Sequence, residues 1–551
     1  MSRYLYNPDD VIIRYPNWLN LLPSLSGKHV LKIGVQSTDS IMAITSSRPE
    51  SLNCVGDRTN IKNMPSVKYY NSIGEVPVKD FDIIILDEPS FLAGCKSLSE
   101  VKTILSGISE VIREDGSVLI RFPDTLVASL RCRYWVERTL SHYGFNQVSY
   151  FLCDPSAEQP LTIIPYGSAA PSLAGSFVNI TDSRSSLLSK MKEMLKRVIF
   201  RTSMIYNPFR GLVLVGRKDV APVKANEGVL ESVQRELHGK MATKATGPPF
   251  VSLVDRGWKH LVFIHDGKDG RLNFIAKIGH KATRWNGAIR NEYENLTVLS
   301  RCKPGFSERK INIPEPIHYE GELDRSWAVQ SAVPGVSVKS IIERYMREDD
   351  RKGIMWIVGE LIEMQKLIQK TCTEKLVNDL PMIRNDYFHN YLGVQLDFEK
   401  GDSELFSDQV QHGDFGTVNV FHDARTGEWG VIDWEGMASG YPPMLDVFCC
   451  ITSVGFVMRQ RGRMREDERY MDSFIDTYFR KSWFSDYLNE LMKRYCDYFH
   501  LERRTVFRNF TGYLLYQCNR YRLKEKYPPY QRRYEKMLIY AVENEENFAV
   551  Q

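Results

Sequence analysis

The feature that most constrains the fold of this chain is the segment HGDFGTVN at residues 412–419, which is followed by VIDWE at residues 431–435. Together they supply a carboxylate, an amide and a second carboxylate at the end of an apolar run. Phosphoryl transfer uses such a set: one carboxylate accepts the proton of an attacking hydroxyl, and the other two groups hold magnesium against the phosphates of a nucleotide. Base and metal must lie a few ångströms apart, so the two segments must be neighbouring loops.

The spacing also predicts how the two loops are joined. Short runs at residues 419–421 and 429–432 flank the segment DARTG at residues 423–427. A turn that contains glycine between two short apolar runs is typical of a β-hairpin. We therefore predict two antiparallel strands that bring the loops together.

A third segment, GYPPMLD at residues 440–446, follows in order. The three segments resemble the motifs of the aminoglycoside phosphotransferase and choline kinase family of small-molecule kinases. The resemblance implies a two-lobed α+β fold like that of protein kinases, with ATP and Mg²⁺ as cofactors. It implies Asp414 as the catalytic base, with Asn419 and Asp433 as magnesium ligands. Asp446 would be a structural residue of the C-terminal lobe.

A kinase of this kind also needs a lysine for the phosphates and a glutamate that orients the lysine. Lys277 lies in the alternating segment FIAKI at residues 274–278, where it shares a face with Ile275, while the other three side chains lie on the opposite face. A helix is predicted over residues 291–299, where Glu292 shares a face with two leucines. The resemblance favours Glu292 as the partner of Lys277, with Glu294 as the alternative.

Two further segments are expected to bind the nucleotide. Strands are predicted at residues 250–254 and 261–265, and the turn between them, with its single glycine Gly257, stands where a phosphate-covering loop belongs. The resemblance places a hinge strand later in the chain. There the backbone between Gln330 and Ala332 would bond the edge of the adenine.

Composition narrows the class of protein. The chain has 551 residues, enough for two to four domains, and its 43% hydrophobic and 25% charged content is ordinary for a globular protein. A net charge of +4 is too small to indicate nucleic-acid binding. The ten cysteines are scattered without metal-ligand spacing, which suits the reducing cytosol. We see no signal peptide at the start and no apolar run of about 20 residues, so no transmembrane segment is expected.

The N-terminal part has a different pattern, in which strand-like apolar runs alternate with helical stretches. This alternation predicts a doubly wound, Rossmann-like α/β domain, whose ligands bind at the carboxyl ends of the strands. A late returning strand suggests an antiparallel arrangement at one edge. The predicted strands are residues 29–34, 52–56, 81–86, 117–122, 147–152 and 211–216.

The same order resembles the class I S-adenosylmethionine methyltransferase fold. Gly34 would belong to the cofactor loop, and Asp57 at the end of the second strand would hold a ribose. The chain departs from that family, because Lys32 replaces an acid and Gln36 and Thr38 stand where glycines would let the backbone approach the cofactor. S-adenosylmethionine is therefore an expected cofactor only if the altered loop still binds it.

Several other segments have two interpretations. A basic amphipathic helix predicted over residues 182–204 would contact a membrane surface or, as is commoner, pack against the sheet or a second chain. Residues 219–248 form a predicted connector. The helical tail is rich in tyrosine and arginine, and its aromatic residues either line an acceptor pocket, together with residues 386–389, or simply pack.

The sequence thus predicts three regions. Residues 1–218 form a methyltransferase-like Rossmann domain, residues 219–248 a connector, and residues 249–551 the kinase domain, divided into an N-lobe (249–332) and a C-lobe (333–551). The main hypothesis is a cytoplasmic, ATP- and Mg²⁺-dependent phosphotransferase that acts on a hydroxyl of a small molecule or glycan. One alternative is a bifunctional kinase and methyltransferase that modifies the end of a polysaccharide. The other is a catalytically silent, kinase-fold scaffold protein. The sequence specifies neither the acceptor nor the oligomeric state.

Overall fold

A computed structural model describes the greater part of the chain. The chain falls into two compact units, Met1–Ile289 with Ile317–Ser331 and Arg290–Pro316 with Ala332–Gln551. The described residues are 5–6, 12–13, 17–34, 38–45, 47–56, 66–77, 80–87, 98–122, 135–154, 162–165, 211–218, 232–233, 250–255, 259–265, 272–279, 285–321, 326–381, 409–459, 466–523 and 528–550.

Several expectations concern residues outside these ranges. They are Gly257, Asp57, Gln36, the helix predicted over residues 182–204, nearly all of the connector 219–248, and residues 386–389.

The first unit contains five parallel strands. They are β3 (His29–Ile33), β4 (Ser51–Val55), β5 (Val67–Tyr70), β6 (Phe81–Leu86) and β7 (Ile112–Arg121). Their spatial order is β5-β4-β3-β6-β7, so that the chain runs outward from the centre in both directions, as in a doubly wound sheet. Helix Thr38–Thr45 connects β3 to β4, helix Leu98–Val111 connects β6 to β7, and a helix over residues 135–142 follows β7.

Alternation along the strands builds a core on each face of this sheet. In β6, Ile83 and Ile85 contribute to one cluster of buried side chains, and Ile84 and Leu86 contribute to the other. Successive side chains of a strand point to opposite faces. Because both faces are covered, the strands are apolar runs, which made them visible in the sequence.

An antiparallel arrangement follows β7, but it lies inside the sheet and not at the predicted edge, because further strands pair beyond it. Strand β10 (Gly211–Arg217) lies between β7 and β8 (Gln147–Asp154) and is antiparallel to both. Strand β9 (Thr162–Pro165) pairs with β8 and then with β11 (Phe250–Asp255). The ladder continues through β12 (Lys259–His265), β13 (Leu272–Gly279), β16 (Ser326–Ser331) and β15 (Pro316–Gly321) to make a sheet of 13 strands. A separate two-stranded ladder joins β1 (Leu5–Tyr6) and β2 (Ile12–Ile13).

The second unit contains a small sheet built on the predicted hairpin. Strands β18 (Val420–Asp423) and β19 (Glu428–Val431) are antiparallel, with Val420 opposite Val431. The hairpin prediction is therefore confirmed. Strand β17 (Val336–Ser337) pairs with β18, and β14 (Ile311–Asn312) pairs with β19.

Helices make up most of the rest of the second unit. The longest begins after Asp350, whose side chain accepts a hydrogen bond from the Gly353 amide as an N-cap. The helices are Trp285–Leu299, Lys303–Phe306, Val338–Glu348, Arg351–Leu376, Leu445–Met458, Glu466–Tyr478, Trp483–Phe499, Val506–Leu523 and Pro528–Glu543. Among the described residues, none of the helices has the length and apolarity needed to span a membrane.

Two glycines of the second unit make a matched test of backbone packing. Both have positive φ, +96° at Gly335 and +70° at Gly427, but a β-carbon at Gly335 would overlap the backbone of His422, whereas one at Gly427 would meet open space. We expect Gly427→Ala to cost about 1–2 kcal/mol, the usual cost of a left-handed residue. Gly335→Ala should cost clearly more, because the clash adds to that cost. Thermal unfolding of both variants measures the difference, and equal losses would contradict the assigned contact.

Candidate functional site

A buried carboxylate holds the loop of residues 412–419. Asp446, in the first turn of the helix Leu445–Met458, is 2% exposed. Its oxygens accept hydrogen bonds from the backbone N–H of His412 at 2.6 Å and of Gly413 at 3.0 Å. Burial raises the pKa of the Asp446 carboxyl, whereas the backbone N–H groups that donate to it act to lower this pKa. The start of the loop is thereby fixed to the helix.

The ring of His412 joins this loop to the end of the hairpin. The N–H of Asp414 donates to Nδ1 at 3.2 Å, and Nε2 lies 3.0 Å from the carbonyl oxygen of Ile432. Because a carbonyl only accepts, these partners indicate a neutral ring with its hydrogen on Nε2. The ring also packs on Trp434, with centroids 4.5 Å apart. His412 is therefore a positioning residue for Asp414.

The carboxylate of Asp414 is accessible and flanked by two donors. Its side chain is 39% exposed, and Nη1 of Arg520 lies 3.6 Å from Oδ1. The Cys449 thiol donates to the same oxygen at 3.8 Å. Burial raises the pKa of the Cys449 thiol well above its usual range, so the thiol stays neutral. A carboxylate that is open on one side can accept the proton of a bound hydroxyl.

The amide of Asn419 is fixed beside the same loop. Its Nδ2 donates to the Asp414 carbonyl oxygen at 2.9 Å, and the Asn419 carbonyl oxygen accepts from the N–H of Ile432 at 2.9 Å. The side chain is buried. Because the amide nitrogen is used within the loop, the amide oxygen is the atom that would serve a cation.

Three carboxylates meet at the end of the hairpin. Glu292, Asp433 and Glu435 each offer one oxygen, and these oxygens all lie within 4.8 Å of one another. Asp433 has a φ of 69°, a left-handed conformation that is uncommon outside glycine. The amide of Asn295 donates to the Trp434 carbonyl oxygen at 2.7 Å, which fastens the helix that carries Glu292 to this turn. Hard oxygen donors in such a group suit Mg²⁺.

The predicted nucleotide residues lie in regular elements. Lys277 on β13 and Gln330 on β16 are each 4% exposed, and Ala332 directly follows β16. The predicted alternation in β13 is confirmed, because Ala276 and Ile278 are buried in an apolar core.

The helix that carries the glutamates also matches its prediction. Glu292, Leu296 and Leu299 are all buried, as one helical face requires. Glu294 is half-exposed and pairs with Arg290 at 2.7 Å. These positions favour Glu292 over Glu294 as the functional glutamate.

A buried charged network lies at the carboxyl edge of the parallel strands. Nζ of Lys32 donates to the Gly34 carbonyl oxygen at 2.6 Å and to Oδ2 of Asp87 at 2.7 Å. Nε of Arg121 is 2.8 Å from Oδ1 of Asp87, an ion pair without hydrogen-bond alignment, and Nη2 donates to the Asp87 carbonyl oxygen at 3.1 Å. All three charged side chains are buried. Two cations and one anion thus occupy the edge where ligands bind in such folds.

The sequence interpretation missed three contributors to the site. Glu435 belongs to the VIDWE segment but was given no role, although an acid two residues after Asp433 was a usable signal. Cys449 is one of the scattered cysteines, whose spacing indicates no functional site. Arg520 was one of several tail arginines, and nothing in the sequence ties it to Asp414, from which it is separated by 106 positions.

Comparison with protein-family models gave a match in the C-terminal part of the chain. Residues 251–484 match the model of the APH family, described as a phosphotransferase enzyme family. The resemblance inferred from the three motifs is therefore confirmed, and this part of the chain has a kinase-like fold. A search among curated proteins returned no match.

Solved structures were compared as well. One of WbdD, described as a bifunctional kinase-methyltransferase, is 11% identical over 93% of this chain and 88% of that one, with a TM-score of 0.25. Aminoglycoside phosphotransferase APH(3'')-Id from Streptomyces rimosus is 14% identical over 52% and 97%, with a TM-score of 0.28. A protein assigned as a sarcosine dimethylglycine methyltransferase from Galdieria sulphuraria is 11% identical over 35% and 79%, with a TM-score of 0.19. At these values the likenesses carry no argument about function.

The two glutamates of one helix provide a matched test of the carboxylate group. We expect Glu292→Gln to weaken Mg²⁺-dependent nucleotide binding at least about tenfold, because it removes one of three clustered anionic oxygens. Glu294→Gln should leave binding unchanged, since that side chain is exposed and pairs with Arg290. Titration of a fluorescent ATP analogue with and without Mg²⁺ gives both affinities. Equal effects of the two substitutions would remove Glu292 from the site.

Proposed function

We propose that the region of residues 249–551 is an ATP- and Mg²⁺-dependent phosphotransferase that acts on a hydroxyl group of a small molecule or glycan. The observation that carries this proposal is the loop that Asp446 fixes, which presents the accessible carboxylate of Asp414 and holds the buried amide of Asn419 through the Asp414 carbonyl oxygen. Phosphoryl transfer consists mainly of positioning and electrostatic stabilisation, so rigid placement of these groups is what the reaction needs.

The donor set fits a magnesium ion. The oxygens of Asp433 and Asn419, joined by Glu292 and Glu435, would hold it, since Mg²⁺ prefers hard oxygen ligands. When bound, the ion neutralises charge on the β- and γ-phosphates. The short separation of the three carboxylate oxygens, which lie within 4.8 Å of one another, supports a shared cation at this place.

The reaction then proceeds in one displacement. The acceptor hydroxyl donates a hydrogen bond to Asp414, and its oxygen attacks the γ-phosphorus. The new O–P bond forms as the bond between the γ-phosphorus and the bridging oxygen of the β-phosphate breaks, and ADP leaves. The hydroxyl proton passes to Asp414, late in a loose transition state. Lys277 would hold the phosphates, and the backbone near Gln330 and Ala332 would hold the adenine.

Among the described residues, the charged side chains at the carboxyl edge of the N-terminal sheet do not suit S-adenosylmethionine. This cofactor carries a sulfonium and an ammonium group, and the resembled family places an acid at the position of Lys32. Here the buried ammonium of Lys32 occupies that edge and uses the Gly34 carbonyl oxygen. Arg121 adds a second cation. We therefore propose that residues 1–218 have a methyltransferase-like fold without methyl transfer, and we favour the kinase over the bifunctional alternative.

The cysteines support a cytosolic setting, where ATP is available. All eight cysteines among the described residues are free and buried. Free thiols in this number are typical of a reducing compartment.

The roles of base and metal ligand can be separated by substitution. We expect Asp414→Asn to lower turnover about 10²–10⁴-fold with nearly unchanged Mg-ATP affinity, because the base touches the acceptor and not the triphosphate. Asp433→Asn should weaken Mg-ATP binding more, since it removes an anionic ligand, and Asn419→Ala should weaken it less. The measurement is Mg²⁺-dependent ATP affinity together with ADP release. If Asp414→Asn kept full turnover, Asp414 would not be the base. If the unmodified chain bound no Mg-ATP, a silent scaffold would be favoured instead.

The buried charges at the carboxyl edge of the N-terminal sheet lead to a second prediction. Calorimetry of the full chain with millimolar S-adenosylmethionine should show no binding heat, because the buried cations of Lys32 and Arg121 oppose a cationic ligand. Titration of the same sample with Mg-ATP serves as the positive control. Saturable binding of S-adenosylmethionine would restore the bifunctional alternative.

A further inference from the structure

An arginine from the tail helix reaches the proposed catalytic base. The helix Val506–Leu523 carries Arg520, whose Nη1 lies 3.6 Å from Oδ1 of Asp414 and donates to the Gly413 carbonyl oxygen at 3.2 Å. Its side chain is 12% exposed, so the guanidinium borders the opening at Asp414 and is not a freely solvated surface charge.

The loop itself provides no cation. Between Asp414 and Asn419 it contains only Phe415, Gly416, Thr417 and Val418. The other contact of the Asp414 carboxylate, the Cys449 thiol, is kept neutral by a pKa raised through burial. Among the described residues, Arg520 is thus the cation in contact with the base.

The position of Arg520 is well determined by packing. One turn earlier on the same helix, Tyr516 packs edge-on against Tyr441, with centroids 5.2 Å apart. The Tyr441 hydroxyl donates to the Gly436 carbonyl oxygen at 2.5 Å. Gly436 directly follows Glu435, one of the three clustered carboxylates. Residues four apart share a helix face, so this contact directs Arg520 toward the loop.

The position of Arg520 suits a role in stabilising the negative charge that develops during phosphoryl transfer. An acceptor oxygen lies about 3 Å from the base and about 3 Å from the phosphorus that it attacks. A guanidinium next to the base therefore lies near the equatorial oxygens of the transferring phosphoryl, where negative charge is spread in the transition state. The planar fork of arginine suits two such oxygens at once.

We propose that Arg520 is a catalytic residue that contacts the transferring phosphoryl group and stabilises the transition state from within the same chain. This inference rests on the proposed kinase function and assigns an additional residue to the same site. A purely structural role would require only that Arg520 hold the loop in place through the Gly413 carbonyl oxygen.

The two roles differ in their response to a transition-state analogue. Aluminium fluoride bound with Mg-ADP imitates the transferring phosphoryl and requires no acceptor. Affinity for Mg-ADP, with and without aluminium fluoride, is measured calorimetrically for the full chain and for Arg520→Gln and Arg520→Lys. Arg504→Gln is the matched control, because that side chain is 83% exposed and pairs with Glu502.

We expect aluminium fluoride to tighten Mg-ADP binding by the unmodified chain. In Arg520→Gln, the gain in affinity from aluminium fluoride should be at least about tenfold smaller, since an arginine in this role contributes mainly to the transition state. The affinity of this variant for Mg-ADP alone should be unchanged. Arg520→Lys should keep part of the gain, and Arg504→Gln all of it. The outcome that overturns the proposal is an equal gain in Arg520→Gln and the unmodified chain, or no gain in the unmodified chain.

Two further results distinguish the proposed role of Arg520 from a folding defect and from a failure of the kinase proposal. If Arg520→Gln is damaged in folding, as seen in its thermal unfolding, Arg520→Lys decides: a folded lysine variant with the full gain of the unmodified chain overturns the proposal, and one with a partial gain supports it. If the unmodified chain does not bind Mg-ADP at all, the proposed kinase function fails, and the role of Arg520 fails with it.

Discussion

The candidate site depends on one buried carboxylate. Asp446 accepts backbone hydrogen bonds from His412 and Gly413, and these bonds tie the start of the loop that presents Asp414 to the helix Leu445–Met458. A buried charge is costly unless it is paired or hydrogen-bonded. Here the donors are backbone N–H groups of the loop. The burial of Asp446 therefore depends on the conformation of the loop, and the loop is held in that conformation by Asp446. Its pKa, raised by burial and opposed by those donors, reflects the same balance.

From this loop the other groups are placed by short connections. The His412 ring bonds Ile432 at the end of the hairpin, and Asn419 bonds both Asp414 and Ile432. The next residue is Asp433, whose left-handed backbone turns the chain into the segment that carries Glu435. Base, amide and carboxylates are thus linked through hydrogen bonds in which at least one partner is a backbone group, which fixes their positions.

The N-terminal sheet shows that a fold and its usual ligand can be separated. Its strand order is that of a doubly wound domain, and the carboxyl edge lies where such domains bind ligands. Yet Lys32, Asp87 and Arg121 fill part of that edge with a network of net charge +1. Each of these charges is satisfied by the other members or by backbone oxygens. Function must therefore be argued from the site and not from the fold.

The sequence alone determined the elements that depend on local patterns and spacing. The hairpin of β18 and β19, the alternation around Lys277 and the buried face of Glu292 all follow from periodicity, because a strand or helix repeats its geometry along the chain. The phosphotransferase resemblance came from three motifs within 35 residues, 412–446. Tertiary structure decided what joins distant segments: the meeting of Glu292 with Asp433 and Glu435, the pairing of Lys32 with Asp87, and the approach of Arg520 to Asp414. These contacts depend on how helices and strands pack, and no spacing in the sequence encodes a distance between residues that only the packed fold brings together.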